Sequence, residues 1–322
     1  MAEPTSTAVR ATTDPVTGAS LAHRRFFDPA LLSAIGQLDL RARSIVEGFI
    51  SGMHKSPFHG FSVEFAQHRE YAPGDDIRHI DWKVYAKTDR FYIKQFEEET
   101  NLQCHLLVDI SESMRYRRDR APGQGLSKLD YAATAAAAIA HLLLRQKDSV
   151  GMALFDDHIR KSFPSSNKPS HIRDLFNELA QVQPREKTDI GPLLHQLAEE
   201  LKKRRMVMIF SDLFTKPDEF FEALKHLAFN RHEIFVFHVM DEDELVFPFQ
   251  RSTLFKGLEQ MPQLLVDPRS LRQAYLDAVG RYLKKIERGC RDVGVEYLRL
   301  STADPLDRVL VRFLAARGAR TR

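Results

Sequence analysis

From Leu102 onward, short apolar runs alternate with longer amphipathic segments, and this alternation constrains the fold more than any other feature of the chain. A strand buried on both faces reads as a near-continuous apolar run, whereas a helix covering it repeats its apolar residues every three or four positions. Strands are expected near 102–109, 149–155, 159–163, 206–211, 233–240 and 294–299. Helices are expected near 127–146, 170–182, 190–203, 217–228, 269–290 and 304–316. Such an order predicts an α/β architecture: an open, mostly parallel sheet with helices on both faces. The short third strand follows the turn Asp156-Asp157-His158 and is expected as an antiparallel edge. Ala132 to Ala140 is almost all alanine, which predicts a slim first helix able to lie close to the sheet.

Three loops of this pattern carry oxygen groups where a ligand would sit. The first strand ends in Asp109-Ile110-Ser111-Glu112-Ser113, which puts a carboxylate and two hydroxyls on one turn. The run Met206 to Phe210 ends in Ser211-Asp212, and Lys187-Thr188-Asp189 opens the helix that begins near Ile190. In open α/β sheets, ligands bind outside the carboxyl ends of the strands at the topological switch point. Hard divalent cations bind oxygen, prefer octahedral geometry and retain waters, so hydroxyls backed by carboxylates suit Mg²⁺, with Mn²⁺ and Ca²⁺ as alternatives. Taken alone, the D-x-S-x-S turn is more readily read as a strand-to-helix turn capped by Asp and Ser.

In order and context, Asp109, Ser111, Ser113, Thr188 and Asp212 resemble the metal-ion-dependent adhesion site of the von Willebrand factor A (vWA) fold, over roughly residues 100 to 300. The resemblance implies a vWA-like, Rossmann-type sheet. It further implies direct metal ligation by Ser111 and Ser113, ligation by Thr188 directly or through water, and water-mediated or supporting roles for Asp109 and Asp212.

A second resemblance lies upstream. Tyr71-Ala72-Pro73-Gly74-Asp75-Asp76-Ile77-Arg78-His79-Ile80-Asp81-Trp82-Lys83 is similar to the signature of the bacterial family catalogued as domain of unknown function 58, with Gly60 to Phe65 and Phe91 to Glu97 fitting its flanks. In that family the signature precedes a vWA domain. Its members are commonly encoded beside MoxR-type AAA+ ATPases, which implies such an ATPase as partner and a chaperone-like adaptor role. Within the signature, Pro73-Gly74 reads as a turn, and Asp75, Asp76, Arg78, Asp81 and Lys83 are close enough to form an ion-pair network around Trp82. The segment, Tyr71 included, is expected to be a turn-rich loop fastening the N-terminal part to the vWA domain, or alternatively a partner-binding surface.

Other features bound the rest of the chain. Residues 1–26 read as a disordered arm without an apolar leader. Residues 27–100 hold an N-terminal helix and a β/signature segment, the helix from Asp28 to Ser51 presenting Leu31, Leu32, Ile35, Leu38, Leu40 and Ile45. Residues 101–302 make the vWA-like domain, and 303–322 a last helix and basic tail. The stretch 241–268 breaks the alternation and reads either as an insertion with β character, with 252–259 as a short strand pair, or as a loop over the sheet edge.

Two cysteines in 322 residues give no disulfide framework, and no run of about eighteen apolar residues exists, so a cytoplasmic protein without a membrane span is expected. A formal net charge of +3 gives no argument for nucleic acid. Basic residues gather at Arg115 to Arg120, Lys202 to Arg205 and Arg317 to Arg322, where solvated surfaces account for them.

An enzyme is not expected. Ser111 stands where a haloacid-dehalogenase-type phosphatase carries its second Asp, no G-x-S-x-G elbow is present, and Gly123 to Lys128 lacks the spacing of a phosphate-binding loop. The expected function is therefore a non-enzymatic adaptor that uses a bound divalent ion to engage a protein partner, with a further protein client. A Mg²⁺-dependent phosphohydrolase and a metal-free scaffold are the alternatives.

Overall fold

The computed structural model describes residues 38, 40–42, 46, 62–72, 80–99, 102–117, 126–184, 187–259, 262–310 and 313. Its centre is a six-stranded sheet of β3 (Gln103–Asp109), β4 (Ser149–Phe155), β5 (Ile159–Ser166), β6 (Met206–Ser211), β7 (Glu233–Met240) and β10 (Glu296–Ser301). They lie in the order β10-β7-β6-β3-β4-β5. All neighbours are parallel except β4 and β5, which pair antiparallel at one edge. This is the open, mostly parallel α/β class expected from the strand–helix alternation, in the vWA-like, Rossmann-type form that the family resemblance implies. The order reverses at β3, whose two neighbours are β4 on one side and β6 on the other.

Side-chain alternation along the strands divides the core into two layers. Leu106, Val108, Met208, Phe210, Phe235 and Phe237 face one layer, where they meet helix α2 (Lys128–Arg145) and α3 (His171–Gln181). Leu107, Val207, Ile209 and Val236 face the other, against α4 (Ile190–Glu200), α5 (Pro217–Phe229) and α7 (Pro268–Asp292). Every residue from Ala132 to Ala140 on α2 is buried, so the alanine stretch forms the closely packed helix its small side chains predict. Ser127 starts α2 with a capping box, its hydroxyl accepting from the Asp130 N–H while the Asp130 carboxylate accepts from the Ser127 N–H.

Chain ends from both sides complete the first layer. Leu38, Ala42 and Val46 are helical and buried there at four-residue spacing. Leu40 is 68% exposed, so the apolar stripe predicted for this helix is corrected by one face: the i, i+4 series through Ala42 docks, and Leu40 points away. Leu31, Leu32, Ile35 and Ile45 lie outside the described residues, as does the arm 1–26. Leu306, Leu310 and Phe313 enter the same layer, with the Phe313 ring edge-on to Phe235 and Phe237 at 5.4 and 5.1 Å.

Apart from the main sheet, β1 (Ser62–Glu70) and β2 (Tyr92–Glu99) form an antiparallel pair. Between them runs α1 (Trp82–Thr88), where the sequence suggested only a turn-rich loop. The correction has a local cause. Asp81 caps the helix by accepting from the Lys83 and Val84 N–H groups at 2.9 and 3.3 Å, and no Gly or Pro follows until Asp89 ends it in the left-handed region. Trp82 is 61% exposed and meets Tyr85 and Phe91 edge-on, so it joins a surface aromatic group. Tyr71 donates its N–H to the Phe91 carbonyl at 2.9 Å and its ring meets Phe91 edge-on. Pro73, Gly74, Asp75, Asp76 and Arg78 lie outside the described residues.

The stretch 241–268 contains α6 (Glu242–Val246) and a hairpin of β8 (Thr253–Phe255) with β9 (Leu264–Val266). The strand pair is thus formed between 253–255 and 264–266, beyond the 252–259 span read from the sequence. Phe247, Phe249, Phe255 and Tyr275 pack as an aromatic cluster that seats it on α7. No helix among the described residues is long and apolar enough to cross a membrane.

Candidate functional site

The reversal of strand order leaves a crevice beyond the carboxyl ends of β3 and β6, and Asp109 and Ser211 are the last residues of those strands. Asp109 is fully buried. Its Oδ1 accepts from the Ser111 N–H at 2.9 Å, and its Oδ2 accepts from the Ser211 hydroxyl at 2.5 Å. The Thr188 hydroxyl lies 3.4 and 3.3 Å from the same two oxygens. Ser111 Oγ and Ser113 Oγ are 3.0 Å apart. The Ser113 hydroxyl also reaches the Asp212 carboxyl, so Asp109, Ser111, Ser113, Thr188 and Asp212 meet at one place.

Each element aims its residue for an identifiable reason. The chain leaves β3 into a short 3₁₀ turn, Glu112–Arg115, which brings Ser111 and Ser113 back to the same side as Asp109. Thr188 lies just before α4, where its loop is tied to the β4 end by the Asp189 N–H on the Asp156 carbonyl at 3.3 Å. Beyond β6, Leu213 is buried at a φ of 52°, a backbone state costly for a branched residue. Three groups hold that turn. The Leu213 N–H reaches Ser211 Oγ at 2.9 Å, the Tyr282 hydroxyl of α7 donates to the Leu213 carbonyl, and His238 Nε2 lies 2.9 Å from the Asp212 carbonyl. A carbonyl only accepts, so Nε2 carries the imidazole proton and Nδ1 accepts from the Tyr297 hydroxyl at 2.8 Å. Burial lowers the His238 pKa to about 4, keeping it neutral.

Three residues outside the predicted set complete the surroundings. Ser211 bonds Asp109 directly. Lys128, the first residue of α2, is buried and places its ammonium 2.7 Å from Asp212 Oδ2 and 2.8 Å from Glu244 Oε1. Glu259, in the β8–β9 loop, is buried with Oε1 3.5 Å from the Thr188 hydroxyl. A signal for Lys128 existed in the sequence: a cation at a helix N-terminus opposes the dipole and so calls for anionic company. No local pattern points to Glu259.

The electrostatics follow from burial. Burial first, then the neighbouring Asp212 charge, pushes Asp109 up to about 7 despite the hydrogen bonds from Ser211 and Ser111. Burial also disfavours charge on Asp212, but the Lys128 ammonium outweighs it and holds that carboxyl below its ordinary value. Burial would lower Lys128, and the charges of Asp212 and Glu244 reverse the direction. Glu259 is pushed up by burial, against the Ser113 hydroxyl that favours its charged form.

These residues fit a hard divalent cation. The donors are all oxygen: the Lys128 ammonium pairs with Asp212 and Glu244, while Asp109 and Glu259 both reach the Thr188 hydroxyl, and carboxylates thus outnumber the cation in a way a dication would offset. Beside the site a cleft of about 960 Å³ is lined by Thr188, Asp212, Phe214, Tyr275, Val279 and Tyr282. Among the described residues, the one cluster of three His, Cys, Asp or Glu ligand atoms is Asp156, Asp157 and His158, and Arg160 already bonds the first of these at 2.7 Å.

Uncharacterized proteins of Mycobacterium bovis and Mycobacterium tuberculosis are 26% identical to the chain over 295 residues, covering 90% of it and 90% of their own length. Among solved structures, the conserved hypothetical protein BatB from Bacteroides thetaiotaomicron is 15% identical and covers 68% of this chain and 99% of its own, with a TM-score of 0.46. The SpRpn10 VWA domain is 13% identical and covers 65% of this chain and 93% of its own, with a TM-score of 0.36. The family described as "Protein of unknown function DUF58" matches residues 67–284, and the chain belongs to that family.

Proposed function

We propose that this protein is a non-enzymatic vWA-like adaptor that holds a divalent cation, Mg²⁺ foremost, between Ser111, Ser113 and Thr188, with Asp109 and Asp212 behind them, and uses it to engage a protein partner. The observation that carries this reading is the meeting of three hydroxyls and two carboxylates at the strand-order reversal. Neutral hydroxyls as direct ligands leave most of the ion's charge to be met by another anionic oxygen, and a partner's Asp or Glu supplies one. When bound, the ion supplies Lewis acidity toward that carboxylate and nothing more. The chain's own residues do the remainder: Asp109 and Asp212 orient the hydroxyls, Lys128 limits the repulsion between carboxylates, and the cleft beside Phe214 and Tyr282 receives apolar neighbours of the partner's acidic residue.

Binding suits Asp109 better than catalysis does. An aspartyl nucleophile or general base needs a free oxygen facing substrate. Both Asp109 oxygens are engaged by Ser111, Thr188 and Ser211 in a fully buried position.

The family resemblance makes a MoxR-type AAA+ ATPase the proposed partner, and a cytoplasmic setting accords with two free, buried cysteines. The test is recovery of a MoxR-type AAA+ ATPase from the same organism on immobilised wild type and on Ser111→Ala/Ser113→Ala, with and without chelator. Recovery by wild type with Mg²⁺ alone is expected. Equal recovery in every lane overturns the bridging role.

A further inference from the structure

We infer that Glu259 is a metal ligand provided by the chain itself, standing where an incoming carboxylate would bind. This rests on the metal-site reading above and goes beyond it, because it makes the site self-satisfied until a partner's carboxylate takes the Glu259 position.

Four observations converge on Glu259. It lies in the β8–β9 loop, 71 residues from Thr188 in sequence, yet its carboxylate oxygen is 3.5 Å from the Thr188 hydroxyl. It is 4% exposed, an unusual place for a carboxylate in a hairpin loop. Its φ of 55° lies in the left-handed region, so the backbone departs from its preferred state where the side chain turns inward. Finally, the Glu259 N–H is held at 3.1 Å by Glu112 Oε2, from the middle of the same turn that presents Ser111 and Ser113.

Glu112 thus gives its place in D-x-S-x-S a purpose: the turn that carries the ligating hydroxyls also grips the backbone of the residue that completes them. Ser111, Ser113, Thr188 and Glu259 together form an oxygen set with one anionic member, the set a hard dication lacks if only the hydroxyls face it. A partner's Asp or Glu then competes with Glu259 for one position.

The experiment uses the full chain and Mn²⁺ alone, with free ion followed by electron paramagnetic resonance and bound-ion hydration by water-proton relaxation. Wild type binds, and Ser111→Ala/Ser113→Ala does not. Glu259→Gln binds about tenfold more weakly and gains about one exchangeable water on the ion. Added acetate then lowers the relaxation enhancement of Glu259→Gln and leaves wild type unchanged, because only the variant has a vacated position. Wild-type affinity and hydration in Glu259→Gln, with binding still lost in the serine pair, overturns the Glu259 assignment and leaves the metal site standing. Binding by wild type no better than by the serine variant overturns both.

Discussion

The Lys128 ammonium lies 2.7 Å from the Asp212 carboxylate, with 2% and 5% of the two side chains exposed. An ion pair this deep links the start of α2 to the turn after β6, and each charge depends on the other. Removing one partner of such a pair typically costs about 3–5 kcal/mol, since the other charge stays buried without compensation. Lys128→Met is expected to lower the unfolding free energy by that order in urea titration. Glu244→Gln should cost far less, because that carboxylate is 28% exposed. The pH signature follows from sign. Asp212 is held below its ordinary 3.8, so its contribution is present above that pH and is lost as pH falls through the lower folded value. Lys128 is raised above 10.5, so its contribution is whole below that pH and fades only in stronger alkali.

Asp109 titrates in the opposite sense. Its folded value of about 7 lies above the ordinary 3.8, so the metal-free folded state binds more protons than the unfolded chain between those limits. Stability in chelator is therefore expected to fall as pH rises from about 4 to about 7 and then to level off. Asp109→Asn should flatten that slope in melting temperatures taken across the range. Uptake of the ion should release a proton near pH 6, which calorimetry in buffers of different ionisation enthalpy would register.

Tyr282 acts on the site through the backbone. Its hydroxyl donates to the Leu213 carbonyl and lies 3.3 Å from the Thr215 carbonyl, which fixes the turn carrying Asp212. Tyr282→Phe keeps the ring and removes that tie. A loss of about 1 kcal/mol in stability is expected, together with about tenfold weaker Mn²⁺ binding. Unchanged Mn²⁺ affinity in the variant would contradict this positioning role.

Gly289 on α7 is a packing requirement. A Cβ placed there would lie 2.2 Å from Phe221 Cζ, closer than any real contact. Alanine normally favours a helix over glycine by roughly 1 kcal/mol, yet Gly289→Ala is expected to destabilise by about 1–3 kcal/mol because α7 must shift from α5 or the ring must leave its rotamer. Phe221→Leu in the same background should restore part of the loss, read as a double-mutant cycle in thermal melts.

Most parts of this architecture legible in the sequence are local, and Thr188 and Asp212 join them because parallel strands gather their following loops where the strand order reverses. The runs Met206 to Phe210 and Ile234 to Phe237 are apolar on both faces because both faces are covered, and that alone marks them as interior strands. Asp109, Ser111 and Ser113 stand within five residues of one another, so one turn suffices to gather them. Lys128 and Asp212 are 84 residues apart, and Glu244 is 116 from Lys128. Partners at such separations leave no period to read. Helix α1 went unseen for another reason. Its one strong start signal, Asp81, sits within a charged stretch where a cap resembles any other carboxylate.

Strand β5 forms an outer edge of the main sheet, and its sequence carries Arg160, Lys161 and Pro164. Proline offers no amide hydrogen to a further strand, and the Lys161 charge disfavours a second copy of the same edge. This border is therefore poorly suited to backbone zippering. Recognition is diverted toward the rim of loops, where side chains set the terms of contact.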